Sequence, residues 1–100
     1  MVHIVLCCAS GMSTSLLVEK MKKAAVEQGI EAKIWAVSAN EIKDNAHMID
    51  VILLGPQVKY ARKSIEANAK GVPIDNISIK DYGMMNGKNV LEQALELIKK

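Results

Sequence analysis

Two cysteines stand side by side in this chain, Cys7 and Cys8, and the second opens the segment Cys8-Ala9-Ser10-Gly11-Met12-Ser13-Thr14-Ser15. An apolar, β-branched run from Val2 to Cys7 precedes that segment. Leu17, Met21, Ala24 and Gln28 follow it at helical spacing. The segment therefore joins a strand to the start of a helix, and Ser13, Thr14 and Ser15 are residue types that open helices well. Backbone N–H groups at such a junction can curve into an anion-binding nest, and the helix dipole reinforces it. Gly11 permits a positive φ or a close approach of the backbone. A thiol at the mouth of this nest has its thiolate stabilised and its pKa lowered. The donors that favour the thiolate would also hold the oxygens of a phosphoryl group carried on its sulfur. The plain reading of any such cysteine is core packing. We adopt it for Cys7, the last strand residue. For Cys8 the glycine, the hydroxyls and the helix start outweigh it. A vicinal disulfide needs a strained backbone, so redox chemistry is the weaker reading.

Other uses of a nucleophilic cysteine can be tested against the layout. A hydrolase needs a histidine base beside the thiol. His3 begins the same strand, roughly 16 Å from Cys8 at ~3.3 Å per residue. His47 precedes another strand, at the same wrong end, and both read as surface histidines. A Cys-x5-Arg phosphatase needs arginine at the position occupied by Thr14. Arg62, the one arginine, falls on the polar face of a later helix. The Gly-Lys-Ser/Thr of a P-loop is absent. What remains is a thiolate that can accept and donate a phosphoryl group without the equipment to hydrolyse it. No carboxylate cluster lies beside the segment, so neither a metal nor another cofactor is expected.

The elements that must position Cys8 are regular. Ala32 to Val37, Val51 to Leu54 and Val72 to Ile77 read as three further strands. Pro73 places the last of these at a sheet edge. Gly29 and Gly71 terminate helices. Ser38-Ala39-Asn40-Glu41 opens a short helix through a capping box. Val58, Ala61, Ile65 and Ala69 form one helical stripe, with Lys59, Arg62, Lys63 and Glu66 facing away. Tyr82-Gly83 and Asn86-Gly87 punctuate a loop before the final helix, whose apolar side carries Val90, Leu91, Ala94, Leu95 and Ile98. This alternation implies right-handed parallel crossovers. The expected fold is α/β, a small doubly wound four-stranded parallel sheet of order 2-1-3-4 with helices on both faces. Ligands in such sheets sit at the carboxyl ends of the strands, where the order reverses. That point lies between strands one and three, so topology brings Cys8 next to Gly55-Pro56-Gln57.

The chain has 100 residues, 50% of them hydrophobic and 24% charged, with a net charge of +2. We expect one domain over residues 1–100. The aromatics are Trp35, Tyr60 and Tyr82, so the core must be aliphatic. Mixed charge and scarce aromatics argue against nucleic acid as a ligand. No apolar run is long enough for a membrane span, and the N-terminus reads as a strand rather than a signal peptide. Two thiols without a disulfide framework suit a reducing cytoplasm.

Taken together, the residues resemble the IIB component of the bacterial phosphoenolpyruvate-dependent sugar phosphotransferase system, in its lactose/cellobiose/chitobiose branch. The resemblance covers nearly the whole chain. It rests on Cys8 followed by Gly-Met-Ser-Thr-Ser-Leu-Leu, on Leu53-Leu54-Gly55-Pro56-Gln57, and on Tyr82-Gly83 with a glycine shortly beyond. Between Cys8 and Gly11 the chain reads Ala-Ser where Ser-Ala is frequent in the family, a swap that leaves the backbone donors in place. The resemblance implies that Cys8 accepts a phosphoryl group from a histidine of a IIA protein. It would pass the group to a disaccharide entering through the membrane-embedded IIC permease. Ala9 to Ser15 would cradle the phosphate, and Gly55, Pro56, Gln57, Tyr82 and Gly83 would flank it. Met12, Pro56, Met84 and Met85 would ring the thiol with adaptable apolar surface for two successive partners. Two other classes fit the same loop. One is a small cysteine phosphatase with Asp81 as general acid. The other is a non-enzymatic, anion-binding regulatory module.

Overall fold

Val2–Cys7 forms β1, and its last four residues are buried on both sides of the sheet. That is what a continuous apolar, β-branched run does when helices cover both faces. A computed structural model describes residues 1–7, 11–37, 42, 48–55, 62–69 and 71–99, with the backbone alone at 11–14 and 99. In chain order after β1 come α1 (Gly11–Glu27), β2 (Ala32–Val37), β3 (Val51–Leu54) and α2 (Arg62–Asn68). β4 (Ile74–Asn76), α3 (Ile79–Gly83) and α4 (Gly87–Lys99) complete it. The sheet order is β2-β1-β3-β4, all parallel, as expected.

Alternation along the strands sorts the core into two layers. Ile4 and Leu6 of β1, with Val51 and Leu53 of β3, meet Leu17, Val18 and Met21 of α1 and Val90, Leu91 and Ala94 of α4. Val5 and Cys7, with Ile52 and Leu54, meet Ile65 and Ala69 beside α2, together with Ile42 and Ile49. Most of these side chains are fully buried. Each such aliphatic side chain contributes about 1.5–3 kcal/mol relative to exposure. Gln28, placed on the apolar stripe of α1 by its spacing, is exposed, and Ala25 is buried instead.

The structure departs from the expected elements in four places, the briefest being Gly87, which begins α4 instead of punctuating the loop before it. Helix α1 begins at Gly11, two residues before the hydroxyls expected to open it, so Gly11 and Met12 are helical rather than loop residues. Strand β4 spans three residues and not six. Pro73 still pairs through its carbonyl, which accepts from the Ile52 N–H at 2.9 Å. The segment around Tyr82-Gly83 is a helix, α3, and not a loop. The expected helix at Ser38–Glu41 lies outside the described residues, as do Val58, Lys59 and Ala61 of the stripe leading into α2.

Candidate functional site

Cys7 and Leu54 are register partners at the carboxyl ends of β1 and β3. Just beyond them the Gly55 N–H donates to the Cys7 carbonyl at 2.9 Å. The Ile77 N–H donates in turn to the Leu54 carbonyl at 2.8 Å. Pairing between strands therefore continues one residue past β3 and past β4. Gly55, which is buried, is held against the peptide group that joins Cys7 to Cys8. Three residues, 8 to 10, separate that peptide group from the first residue of α1.

The first four N–H groups of a helix have no partner within it. In α1 these include the N–H groups of Gly11, Met12 and Ser13, in its first turn. No acidic residue lies in that turn to compete for them. Backbone N–H groups and the positive end of the helix dipole therefore stand at the same edge of the sheet as the Cys7–Cys8 peptide. Ser15, the fifth helical residue, is exposed. Cys8, Ala9, Ser10, Pro56 and Gln57 lie outside the described residues.

Cys7 is fully buried among Val5, Val37 and Leu54, as expected of a packing residue. Asn76 shares the cross-sheet row of Cys7 and Leu54. Its Oδ1 is buried and has no hydrogen-bond partner among the described residues. Such an acceptor typically costs ~1–3 kcal/mol. Tyr82 is buried in the α1/α4 layer, and Gly83 is exposed at the end of α3. The two methionines after it divide: Met84 is 65% exposed, whereas Met85 packs against the core.

Groups that a hydrolase would need are engaged elsewhere. Arg62 donates through Nε to Glu66 at 2.7 Å and through Nη2 to the Ile74 carbonyl at 3.2 Å. Asp81 accepts from Asn89 of α4 at 3.4 Å. His3 sits at the opposite, amino edge of the sheet, with its ring Nδ1 3.3 Å from Asp50. Among the described residues no group of three His, Cys, Asp or Glu side chains could hold a metal ion. Among the same residues no helix is long and apolar enough to cross a membrane.

Comparison with known proteins decides the family. Residues 3–93 match the model of the family described as PTS system, Lactose/Cellobiose specific IIB subunit. The chain belongs to that family. Among its IIB relatives is the oligo-beta-mannoside-specific EIIB component of Bacillus subtilis, 43% identical over 98% of this chain and 97% of the relative. The cellobiose-specific EIIB component of Lactococcus lactis is 45% identical over 95% of this chain and 94% of its own. The solution structure of a cellobiose-specific IIB component from Borrelia burgdorferi superposes with a TM-score of 0.83. That protein is 38% identical, over 98% of this chain and 92% of the other. The four-stranded order and its helices are thus those of a IIB fold, and the protein is a component of a sugar phosphotransferase system.

Proposed function

We propose that Cys8 carries the phosphoryl group of this IIB protein. In this reading the sulfur takes the group from a phosphohistidine of a IIA protein, and the histidine nitrogen leaves. The phosphocysteine then gives it to a sugar hydroxyl at the IIC permease, regenerating the thiolate. The sugar is a disaccharide of the cellobiose, chitobiose or lactose kind, and the protein works in the cytoplasm. The relatives' names span oligo-beta-mannoside, galactose and cellobiose.

One observation carries the assignment: the hydrogen bond from Gly55 to the Cys7 carbonyl. It supports the reading by fixing Cys7, the residue before Cys8, at the strand end from which α1 starts four residues later. Ala9, Ser10, Gly11, Met12, Ser13, Thr14 and Ser15 are the proposed cradle, with Gly55, Pro56, Gln57, Tyr82 and Gly83 flanking it. Neutral amide donors hold a phosphoryl group without the bidentate clamp that steadies a hydrolytic transition state. Thr14 stands where a phosphatase has its arginine, and Arg62 is engaged with Glu66 and Ile74. The phosphocysteine should therefore outlast its search for the acceptor, resisting water for minutes at neutral pH.

The test is mass spectrometry after incubation with phosphoenolpyruvate, the general proteins of the system and a IIA partner. One phosphoryl group on Cys8 is expected, and none in Cys8→Ser. Phosphate on Cys7, or full transfer by Cys8→Ser, would refute the assignment. Turnover of a chromogenic phosphate ester would restore the phosphatase alternative.

A further inference from the structure

Gln93 lies on α4, the last helix, outside both the proposed cradle and the residues that flank it. Its Nε2 donates to the Asn76 carbonyl at 2.8 Å and to Asp75 Oδ2 at 3.0 Å. Both partners are acceptors, so the amide orientation follows from the network itself. The Asn76 carbonyl points outward from β4, the edge strand, where a backbone group has no ladder partner. The peptide group bearing that carbonyl also bears the Ile77 N–H, which donates to Leu54 at 2.8 Å. The Leu54 carbonyl shares its peptide group with the Gly55 N–H, which donates to Cys7 at 2.9 Å. The Cys7 carbonyl shares its peptide group with the N–H of Cys8. Three peptide groups thus run in series across the carboxyl edge of the sheet, from a side chain of α4 to the backbone of Cys8.

We propose that Gln93 is a positioning residue for Cys8, acting through this chain of peptide groups. The inference rests on the reading of Cys8 as the phosphorylated residue. Two physical effects support it. Hydrogen bonds in series polarise one another, so a donor fixed at one end strengthens each bond beyond it. The outward carbonyl of an edge strand would otherwise exchange among waters; Gln93 replaces them with one donor held in place. Asp75 completes the clamp, because its Oδ1 accepts from the Asn76 N–H at 2.8 Å while its Oδ2 accepts from Gln93. The three-residue strand β4 is thereby pinned to α4 at the end that adjoins the site. Small displacements of a reacting group carry large rate costs, so a fixed edge matters to transfer even at this distance.

Gln93→Met tests the proposal, since methionine keeps the length and loses the donor. Amide shifts of Ile77 and Gly55 are read by NMR, and phosphoryl transfer from phosphorylated IIA is read as separate kcat and KM values. We expect both amide protons to move upfield, Gly55 less than Ile77. We expect kcat to fall about two- to tenfold, the span of one neutral hydrogen bond, with KM unchanged. Ile98→Ala is the control, because Ile98 is half-buried on the same helix and takes no part in the chain of peptide groups. It should lower the melting temperature without moving either amide or kcat. An unmoved Gly55 amide, an unchanged kcat, or an equal slowing in Ile98→Ala overturns the inference. Wild-type protein that takes no phosphate on Cys8 overturns the reading of the site instead.

Discussion

Successive side chains of a strand point to opposite faces, and at the scale of single residues this decides where Cys7 goes. Cys7 is directed into the layer under α2, where it is fully buried with Val37 and Leu54. Cys7→Ser puts a hydroxyl in that layer and should destabilise the fold by about 1–3 kcal/mol, while Cys8 keeps accepting phosphate. Thermal denaturation and the phosphorylation assay read the two effects separately; loss of transfer in a folded Cys7→Ser protein would reverse the roles of the two cysteines. Thr14 allows a sharper test. It is the fourth residue of α1, at the position a phosphatase gives to arginine. If its hydroxyl donates to the phosphoryl oxygens, Thr14→Ala weakens transfer by the worth of a hydrogen bond to a charged group, ~1.5–3 kcal/mol. Thr14→Ser should then restore most of it. Transfer unaffected in Thr14→Ala would leave the holding to the backbone alone.

Two helices end in the same turn by different means. After α1 the Ile30 N–H returns to the Ala25 carbonyl at 2.8 Å and the Gly29 N–H to Val26 at 3.1 Å, with Gly29 at φ +70°. After α3 the Asn86 N–H returns to Asp81 at 2.9 Å and the Met85 N–H to Tyr82 at 3.2 Å, with Met85 at φ +53°. Both are Schellman ends, and the second places methionine where glycine is usual. Met85 holds that conformation because its side chain packs on the α1/α4 layer. Truncation should therefore rank unusually: Met85→Gly more stable than Met85→Ala by about 1 kcal/mol, since both lose the packing and only alanine keeps the strained φ. The opposite order in denaturant midpoints would mean that this φ carries no strain. The same pair of turns shows which features are legible in a sequence. Gly29 announces its helix end, whereas nothing in a Met-Met pair does. Strands β1 and β3 are plain because burial on both faces demands unbroken apolar runs. Helix α3 is hidden because five residues are too few for a periodicity, and its final residue, Gly83, reads as punctuation. Its one available signal is Ser78, whose Oγ accepts from the Asp81 N–H at 3.0 Å, a capping pattern three residues long. The place expected of Cys8 follows from strand order. The tie from Gln93 does not, because it depends on how α4 is rotated against the sheet edge.

Across the whole molecule the two edges of the sheet carry different tasks. At the carboxyl edge lie the Cys7–Cys8 peptide, Gly55 and the first turn of α1; β4 leads from there into α3 and the exposed Met84. At the amino edge Asp50 Oδ2 accepts from the His3 N–H at 2.7 Å and faces the His3 ring, while the Asp50 N–H donates to the His3 carbonyl at 2.9 Å. The His3 ring also stands edge-on to Trp35, 6.2 Å between centroids. These contacts fasten β3 to β1 four residues before Cys7, roughly 13 Å away at ~3.3 Å per residue. Asp50→Ala should therefore lower stability and leave transfer alone. The loss should be about 1 kcal/mol, because the pair is partly exposed and water screens it. Met84→Asp should do the reverse. Its side chain is 65% exposed, so a carboxylate there buries no charge and spares the fold. A partner that seats apolar surface over Met84 must instead desolvate that carboxylate, which raises KM for phosphorylated IIA. Melting temperature and KM, measured on both variants, should each respond to one substitution. A KM unmoved by Met84→Asp would take α3 out of the docking surface. A KM raised by Asp50→Ala would mean that the amino edge reaches the site through β1, and the division of the sheet would fail.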